Sequence, residues 1–165
     1  MVCRMFRLET EIDKARRDLL RSRLLAANTE ASPALRALRG TPAERESPLH
    51  VWASDPEGEL AGGLVGHTWT TWLHVTWLWV DARHRGGGLG GRLLAEAERV
   101  ARAERGCDRV RLETWDFQAP GFYRRQGYEV VCTIEDYPPG LTEYTLTKRL
   151  GQAATGPSGA GGPGR

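Results

Sequence analysis

A run of glycines between a predicted strand and a predicted helix constrains this chain more than any other feature. Five of the six residues from Gly86 to Gly91 are glycine. The run follows an apolar segment ending at Val80 and leads into apolar residues with the spacing of an amphipathic helix. Glycines allow a tight turn and expose main-chain N–H groups, and a helix start adds unpaired donors and partial positive charge. The segment therefore predicts a phosphate or pyrophosphate site.

Spacing separates this run from two common phosphate-binding motifs. The loop of nucleotide hydrolases needs a lysine and a hydroxyl residue after its last glycine, but Arg92 and Leu93 follow here. The dinucleotide fingerprint Gly-x-Gly-x-x-Gly matches 86–91 literally, and Glu113 lies about 20 residues further on, as a ribose-binding acid does. In that fold, however, the first glycine follows its strand almost directly, whereas Asp81 to Arg85 intervene here. A dinucleotide oxidoreductase is the weaker alternative.

The segment Arg85 to Gly90 satisfies every fixed position of a third motif, Arg/Gln-x-x-Gly-x-Gly/Ala. In this the chain resembles the GNAT acyltransferases, whose glycine turn holds the pyrophosphate of coenzyme A. The resemblance implies acetyl-CoA as co-substrate, no metal, and a strand before the turn that pairs through its main chain with the pantetheine arm. The coenzyme-binding residues it implies are Leu78, Trp79, Val80, Arg85, Gly86, Gly87, Gly88, Leu89, Gly90, Gly91 and Gln118.

A second segment further along the chain is similar to the same superfamily. Ala119 and Phe122-Tyr123 match its usual Ala-x-x-Leu/Phe-Tyr, and Gly127-Tyr128 matches its usual Gly-Phe/Tyr. Asp116 stands where many relatives have an asparagine that contacts pantetheine, so Gln118 is expected to serve instead. Two motifs at the correct separation imply an N-acetyltransferase more strongly than either alone. The segment Tyr137 to Tyr144 also looks like the C-terminal strand pair of one small bacterial branch of the superfamily.

The resemblance assigns Tyr123 as the general acid that protonates the departing thiolate, and a phenol with a reference pKa of about 10 is protonated at neutral pH. A tyrosine packed in the core is the alternative. Glu113 is the first candidate for the base, followed by Asp116 and His74, with a water relay left open. A main-chain N–H near Trp79 or Val80 is expected to stabilise the oxyanion. No cysteine lies in the motifs, which predicts direct attack by the amine.

Four of the six tryptophans lie between Trp69 and Trp79. They either fill the buried face of a sheet, or one of them lines the acceptor pocket, where an indole ring attracts a cationic amine. Strand alternation places Trp77 and Trp79 on one face, with Leu78 and Val80 on the other.

The hydrophobic patterns predict an α+β fold, a mostly antiparallel sheet of about seven strands flanked by helices, in the order β-α-β-β-β-α-β-α-β-β. The first helix is predicted from Thr10 to about Ala27, and Gly106 is predicted to end the second long one. The resemblance to the GNAT acyltransferases further implies that the sheet splays between Trp72–Val80 and Arg109–Thr114 to admit coenzyme A. One domain is predicted over residues 1–150, with a disordered Gly/Pro-rich tail over 151–165.

Composition excludes several classes of function. The net charge is +2 and the arginines are dispersed, which argues against nucleic acid as a partner. Three widely spaced cysteines suggest neither disulfides nor a zinc site, and no segment reads as a signal peptide or membrane span, so a cytoplasmic location is expected.

The acceptor itself carries no motif. We expect a small-molecule amine, with antibiotic amines, polyamines, amino acids and protein N-termini all open, and a homodimer is left open too. A non-catalytic acyl-CoA-binding or regulatory module with the same fold is the alternative to an enzyme.

Overall fold

A computed structural model describes residues 7–151. Contacts divide the chain into two compact units, with the boundary between Thr41 and Pro42. The single domain over 1–150 therefore stays a prediction, and the tail predicted from 151 onward lies outside the described residues apart from Gly151 itself. None of the described helices is long and apolar enough to cross a membrane.

The first unit contains two helices, α1 (Lys14–Ala31) and α2 (Pro33–Leu38). The predicted start at Thr10 is too early, because the side chain of Asp13 accepts a hydrogen bond from the N–H of Arg16 at 2.9 Å and caps α1. The helix also continues past Ala27. Ser32 ends it and caps α2, since its N–H donates to Asn28 O and its hydroxyl accepts from Leu35 N.

The second unit is built on one six-stranded sheet with the strand order β1-β2-β3-β4-β6-β5. Only β3 and β4 pair in parallel, so the predicted mostly antiparallel sheet is confirmed. The predicted strand before the first helix is not found in residues 7–13, which makes six strands where about seven were expected. The strands are β1 (Ser47–Ser54), β2 (Leu60–Trp69), β3 (Trp72–Val80), β4 (Arg109–Trp115), β5 (Glu129–Ile134) and β6 (Glu143–Arg149), and the helices are α3 (Leu89–Arg105) and α4 (Pro120–Arg125).

The hydrophobic core lies between α3 and one face of the sheet, here called the inner face. Burial of these aliphatic side chains is the main source of stability in such a layer. On the opposite face, here called the outer face, Trp52, Trp77 and Trp79 are exposed. The buried core residues include Leu64, Leu73, Leu93, Leu94, Ala97, Val110, Leu112 and Leu146.

Helix α3 ends where the sequence predicts. Gly106 has φ 67° and ψ 21°, the left-handed conformation, and its N–H donates to Ala101 O. The short helix α4 likewise stops before Gly127, which has φ 85°. Side chains avoid this conformation, and glycine adopts it without strain.

The sheet opens between β3 and β4, as predicted. Their parallel ladder runs from the pair Trp72–Arg109 to the pair Val75–Leu112 and stops there. Strand β3 nevertheless continues along β2 as far as Val80, and β4 continues along β6 as far as Trp115. The two strands therefore diverge after Val75, and the edge of β3 from Thr76 onward loses its neighbour on that side.

A bulge sits at the point of divergence. Val65 pairs with Trp77 and Gly66 with Val75, so Thr76 is the extra residue of β3. The extra residue reverses the alternation of side chains, so odd-numbered residues of β3 face the core before it and even-numbered residues face the core after it. Leu73 and Val75 before it are buried, and after it Leu78 and Val80 pack against the core.

Candidate active site

The glycine turn connects β3 to α3 through one short 3-10 turn, Ala82–His84. Asp81 caps this turn by accepting from the N–H of Arg83 at 2.8 Å. Hydrogen bonds from the guanidinium and the N–H of Arg83 lower the pKa of Asp81 to about 2. Gly86 and Gly88 then adopt φ 82° and 79°, and α3 begins at the next residue. These contacts and backbone angles define the conformation of the turn.

The amides of the turn are free to bind an anion. Within residues 7–151, no hydrogen bond is donated by the N–H of any residue from Gly86 to Gly91. Gly88, the N-cap of α3, has no side chain to satisfy them. Six N–H groups at the positive end of a long helix suit a diphosphate, so the residues fit the group that the sequence predicts.

Two of the glycines lie beside the α4 segment, a contact that the sequence did not reveal. A Cβ atom on Gly90 would lie 3.5 Å from the ring of Phe122, and one on Gly91 would lie 3.4 Å from the amide of Gln126. These positions bring α3 close to α4. Gly86, Gly87 and Gly88 face open space instead, which leaves their amides accessible.

A cavity of about 580 Å³, here called the turn cavity, lies over the glycine turn. Arg85 is in its wall, and the Nε of Arg85 donates to Val80 O at 3.0 Å. All the predicted coenzyme-binding residues line this cavity except Trp79, Gly87 and Gln118. The sequence analysis did not single out three of its residues, because they come from packing between α4 and the turn: His84, Arg125 and Gln126. Ala119 and Phe122 were identified as motif residues but were not assigned to the coenzyme.

A second cavity of about 620 Å³, here called the splay cavity, fills the opening between β3 and β4. It shares Leu78, Val80, Arg85, Ala119 and Tyr123 with the turn cavity, so the two form one continuous cleft. Its remaining lining residues are Thr76, Trp77, Trp79, Glu113, Thr114, Phe117 and Gln118. Both predicted catalytic residues, Tyr123 and Glu113, therefore line the same continuous cleft.

The main chain of β3 presents two residues to the splay cavity. Asp81 N donates to Ala61 O on the β2 side, whereas Val80 O accepts from Arg85 on the other side. Since alternate residues of a strand direct their N–H and C=O groups to opposite neighbours, Leu78 and Val80 turn theirs toward the cavity. Of the two positions predicted for the oxyanion donor, the alternation supports Val80.

Tyr123 is buried in α4, with 8% of its surface exposed, and packs edge-on against Phe122 and Tyr128. Its hydroxyl makes no hydrogen bond within residues 7–151, and Tyr123 lines both cavities. Burial raises the pKa of the phenol, so it stays protonated at neutral pH. The other motif tyrosine, Tyr128, is engaged elsewhere, because its hydroxyl donates to Glu98 at 2.8 Å.

Gln118 is held in one orientation. Its Oε1 accepts from the hydroxyl of Thr114 at 2.9 Å and from the N–H of Trp115 at 3.2 Å. The side-chain amide nitrogen is then the group that remains to donate in the splay cavity.

The three candidate bases lie in different places. Glu113 lines the splay cavity and forms an ion pair with Arg111. Asp116 does not line it, and its carboxylate accepts from the N–H of Phe117 at 2.8 Å in a local turn. His74 is outside the lining too, stacked on His67 with ring centroids 4.8 Å apart. Only the first choice, Glu113, is next to the expected thioester.

Comparisons with known proteins agree with this geometry. The acetyltransferase (GNAT) family profile matches residues 12–128. A blasticidin-S acetyltransferase of Streptomyces morookaense is 58% identical over 131 residues, which cover 78% of this chain and 96% of the relative. An acetyltransferase of Agrobacterium fabrum is 34% identical over 102 residues, covering 62% of this chain and 74% of the relative.

A crystal structure of an acetyltransferase from Bacillus cereus superposes with a TM-score of 0.72 at 27% identity, covering 87% of this chain and 98% of that one. The family match spans both the glycine and the tyrosine motifs, and the solved structure has a similar fold. The chain belongs to the GNAT family of acetyltransferases and is an N-acetyltransferase.

Proposed function

We propose that this enzyme transfers the acetyl group of acetyl-CoA to a primary amine of a small molecule, and that blasticidin S is such an acceptor. The observation that carries the proposal is the continuity of the two cavities, which joins the free amides of the glycine turn to the space between Tyr123 and Glu113. The acceptor is taken from the relative that shares 58% of its residues with this chain.

Acetyl-CoA binds along the cleft in the proposed complex. The amides of 86–91 hold its pyrophosphate, with Arg85 beside them in the wall. The pantetheine arm then follows the open edge of β3 and pairs with the main chain of Leu78 and Val80, as an added strand does. The Gln118 amide donates to a carbonyl of the arm.

The amine reaches the thioester from the outer face. Glu113 lies on this face because it alternates with the buried residues Leu112 and Thr114 of β4. A primary ammonium with a pKa of about 10.4 costs about 4 to 5 kcal/mol to deprotonate at pH 7. The carboxylate of Glu113, directly or through water, accepts that proton.

The transfer forms an N–C bond and an S–H bond and breaks a C–S bond and an N–H bond, and the proton from that N–H bond returns to the Tyr123 phenolate. The amine nitrogen attacks the thioester carbon, the N–H of Val80 stabilises the oxyanion, and the carbon–sulfur bond then breaks. Tyr123 gives its proton to the departing sulfur. Burial raises the pKa of the phenol, which keeps its proton available until the thiolate departs.

The test is thiol release from acetyl-CoA by the purified protein with blasticidin S, together with the mass of the product. We expect release that depends on both substrates and a product heavier by one acetyl group. Release with other amines but not with blasticidin S would contradict the acceptor only. Binding of acetyl-CoA by calorimetry without release by any amine would contradict the enzymatic role and favour an acyl-CoA-binding module.

A further inference from the structure

We infer that the acceptor carries a planar ring and that Trp77 and Trp79 bind this ring on the outer face, beside the splay cavity. The inference rests on the proposed function, because it describes the second substrate of the same site. The two indoles, here called the tryptophan shelf, are 68% and 47% exposed, and both line the splay cavity.

The other described tryptophans already have partners. Trp69 donates to Glu44 O at 3.2 Å, and Trp115 donates to Tyr137 O at 3.1 Å. Arg109 lies over the ring of Trp72, and Trp52 packs edge-on against His50. Only the indole side chains of the two cavity tryptophans make no hydrogen bond or ring contact with any residue from 7 to 151. The indoles of Trp77 and Trp79 are therefore available to contact a ligand in the splay cavity, where the acceptor is proposed to enter.

The exposure of the shelf follows from the bulge at Thr76. Without the extra residue, alternation from Leu73 and Val75 would put Trp77 and Trp79 on the inner face and Leu78 and Val80 on the outer one. The bulge is therefore what presents both indoles to the outer face, at the same place where the sheet opens.

The spacing of the shelf suits a flat ligand. Residues two apart on a strand are separated by about 6.7 Å, and a ring contacts an aromatic face at about 3.5 Å. One planar ring therefore fits between or across the two indoles. Indoles also attract a cation held near their faces, which favours an ammonium group on the ring.

The shelf also places the amine correctly. Trp77 and Trp79 alternate along β3 with Leu78 and Val80, whose main chain faces the cavity. Glu113 lies in the same cavity wall from β4. A ring on the shelf thus puts an attached aminomethyl group between the thioester and the carboxylate.

The experiment compares two amines of the same size, naphthylmethylamine and its fully saturated decahydro analogue. Each is titrated calorimetrically into the protein saturated with coenzyme A, which has no acetyl group to transfer. We expect the planar amine to bind about tenfold more tightly, as one stacking contact provides. The preference should disappear in Trp77→Leu and in Trp79→Leu, and it should be unchanged in Trp52→Leu, whose exposed indole lies outside the cavity.

Equal affinity for the two amines, or no binding of either, would overturn the shelf. Loss of the preference in the Trp52 variant would overturn it too, because the effect would then belong to the whole face. Thiol release in the wild-type protein tests the proposed function separately. Thiol release without a preference for the planar amine would support the proposed function and overturn the shelf. A preference for the planar amine without thiol release would support the shelf and overturn the proposed function.

Discussion

Val75 and Leu112 form the last pair of the ladder between β3 and β4, and the active site begins one residue beyond them. Thr76, the bulge residue, and Glu113 are the next residues on the two strands, and both line the splay cavity. The end of strand pairing therefore creates the site. It opens space between two strands and leaves main-chain groups of β3 without a neighbour, which is where an amide-bearing substrate arm can pair.

Replacing Tyr123 by Phe should lower kcat roughly 10²-fold or more, because the leaving thiolate loses its proton donor. The dissociation constant for acetyl-CoA should change little, since the ring and its packing against Phe122 and Tyr128 remain. Steady-state thiol release and calorimetry measure the two quantities.

Tyr128→Phe is the matched control for that variant. The hydroxyl of Tyr128 donates to Glu98, which also pairs with Lys148 at 2.6 Å, so its loss should cost stability of about 1 to 3 kcal/mol and leave kcat close to normal. If both tyrosine variants retained full kcat, Tyr123 would have no role as the acid.

Glu113→Gln should lower kcat/KM on the order of 10²-fold near pH 7, because the amide cannot accept the proton of the ammonium. The deficit should shrink as the pH rises toward the pKa of the amine, about 10.4, where the acceptor is deprotonated without help. A pH profile of thiol release measures this. A deficit that is constant with pH would indicate that Glu113 positions the acceptor and does not accept its proton.

Local patterns predicted much of this fold. The end of α3 at Gly106 and the glycine turn between β3 and α3 depend on residues close in sequence, and the structure has them where predicted. The splay was predicted too, although through family resemblance. These features rest on backbone conformation and helix capping, which a short stretch of sequence largely determines.

Non-local pairing determined what the sequence did not show. Of the two interpretations of the clustered tryptophans, filling a buried face is wrong for Trp77 and Trp79, which are exposed. The sequence correctly predicted that Trp77 and Trp79 lie on the opposite face of β3 from Leu78 and Val80. Which of the two pairs faces the core depends on the bulge at Thr76, and a bulge is a property of two paired strands. The ion pair of Glu113 with Arg111 and the packing of Phe122 against Gly90 depend on tertiary contacts as well.

Gly88→Ala should weaken the binding of acetyl-CoA and destabilise the fold by roughly 1–2 kcal/mol, because a Cβ strains the left-handed conformation at φ 79° and the turn shifts to relieve it. Calorimetry and thermal unfolding measure the two effects. Gly106→Ala is the control, since it strains the same helix at its other end, at φ 67° and also in open space. It should lose similar stability and keep the affinity for acetyl-CoA; equal affinity losses in both variants would contradict a specific role of the turn.

His74 should make the stability of the protein depend on pH. Burial lowers the pKa of its imidazole from 6.5, the positive charges of His67 and Arg111 lower it further, and Glu113 and Glu46 oppose them. The unfolded chain then binds more protons than the folded one between the lowered pKa and 6.5, so stability is full above this window and falls as the pH decreases through it.

The melting temperature measured from about pH 8 down to about pH 5 should therefore fall less steeply in His74→Gln than in the wild type. His50→Gln is the control, because its ring is exposed on the same face of the sheet and its replacement should leave the wild-type slope unchanged. An identical slope in the wild type and in His74→Gln would show that protonation of another group causes the loss of stability in acid.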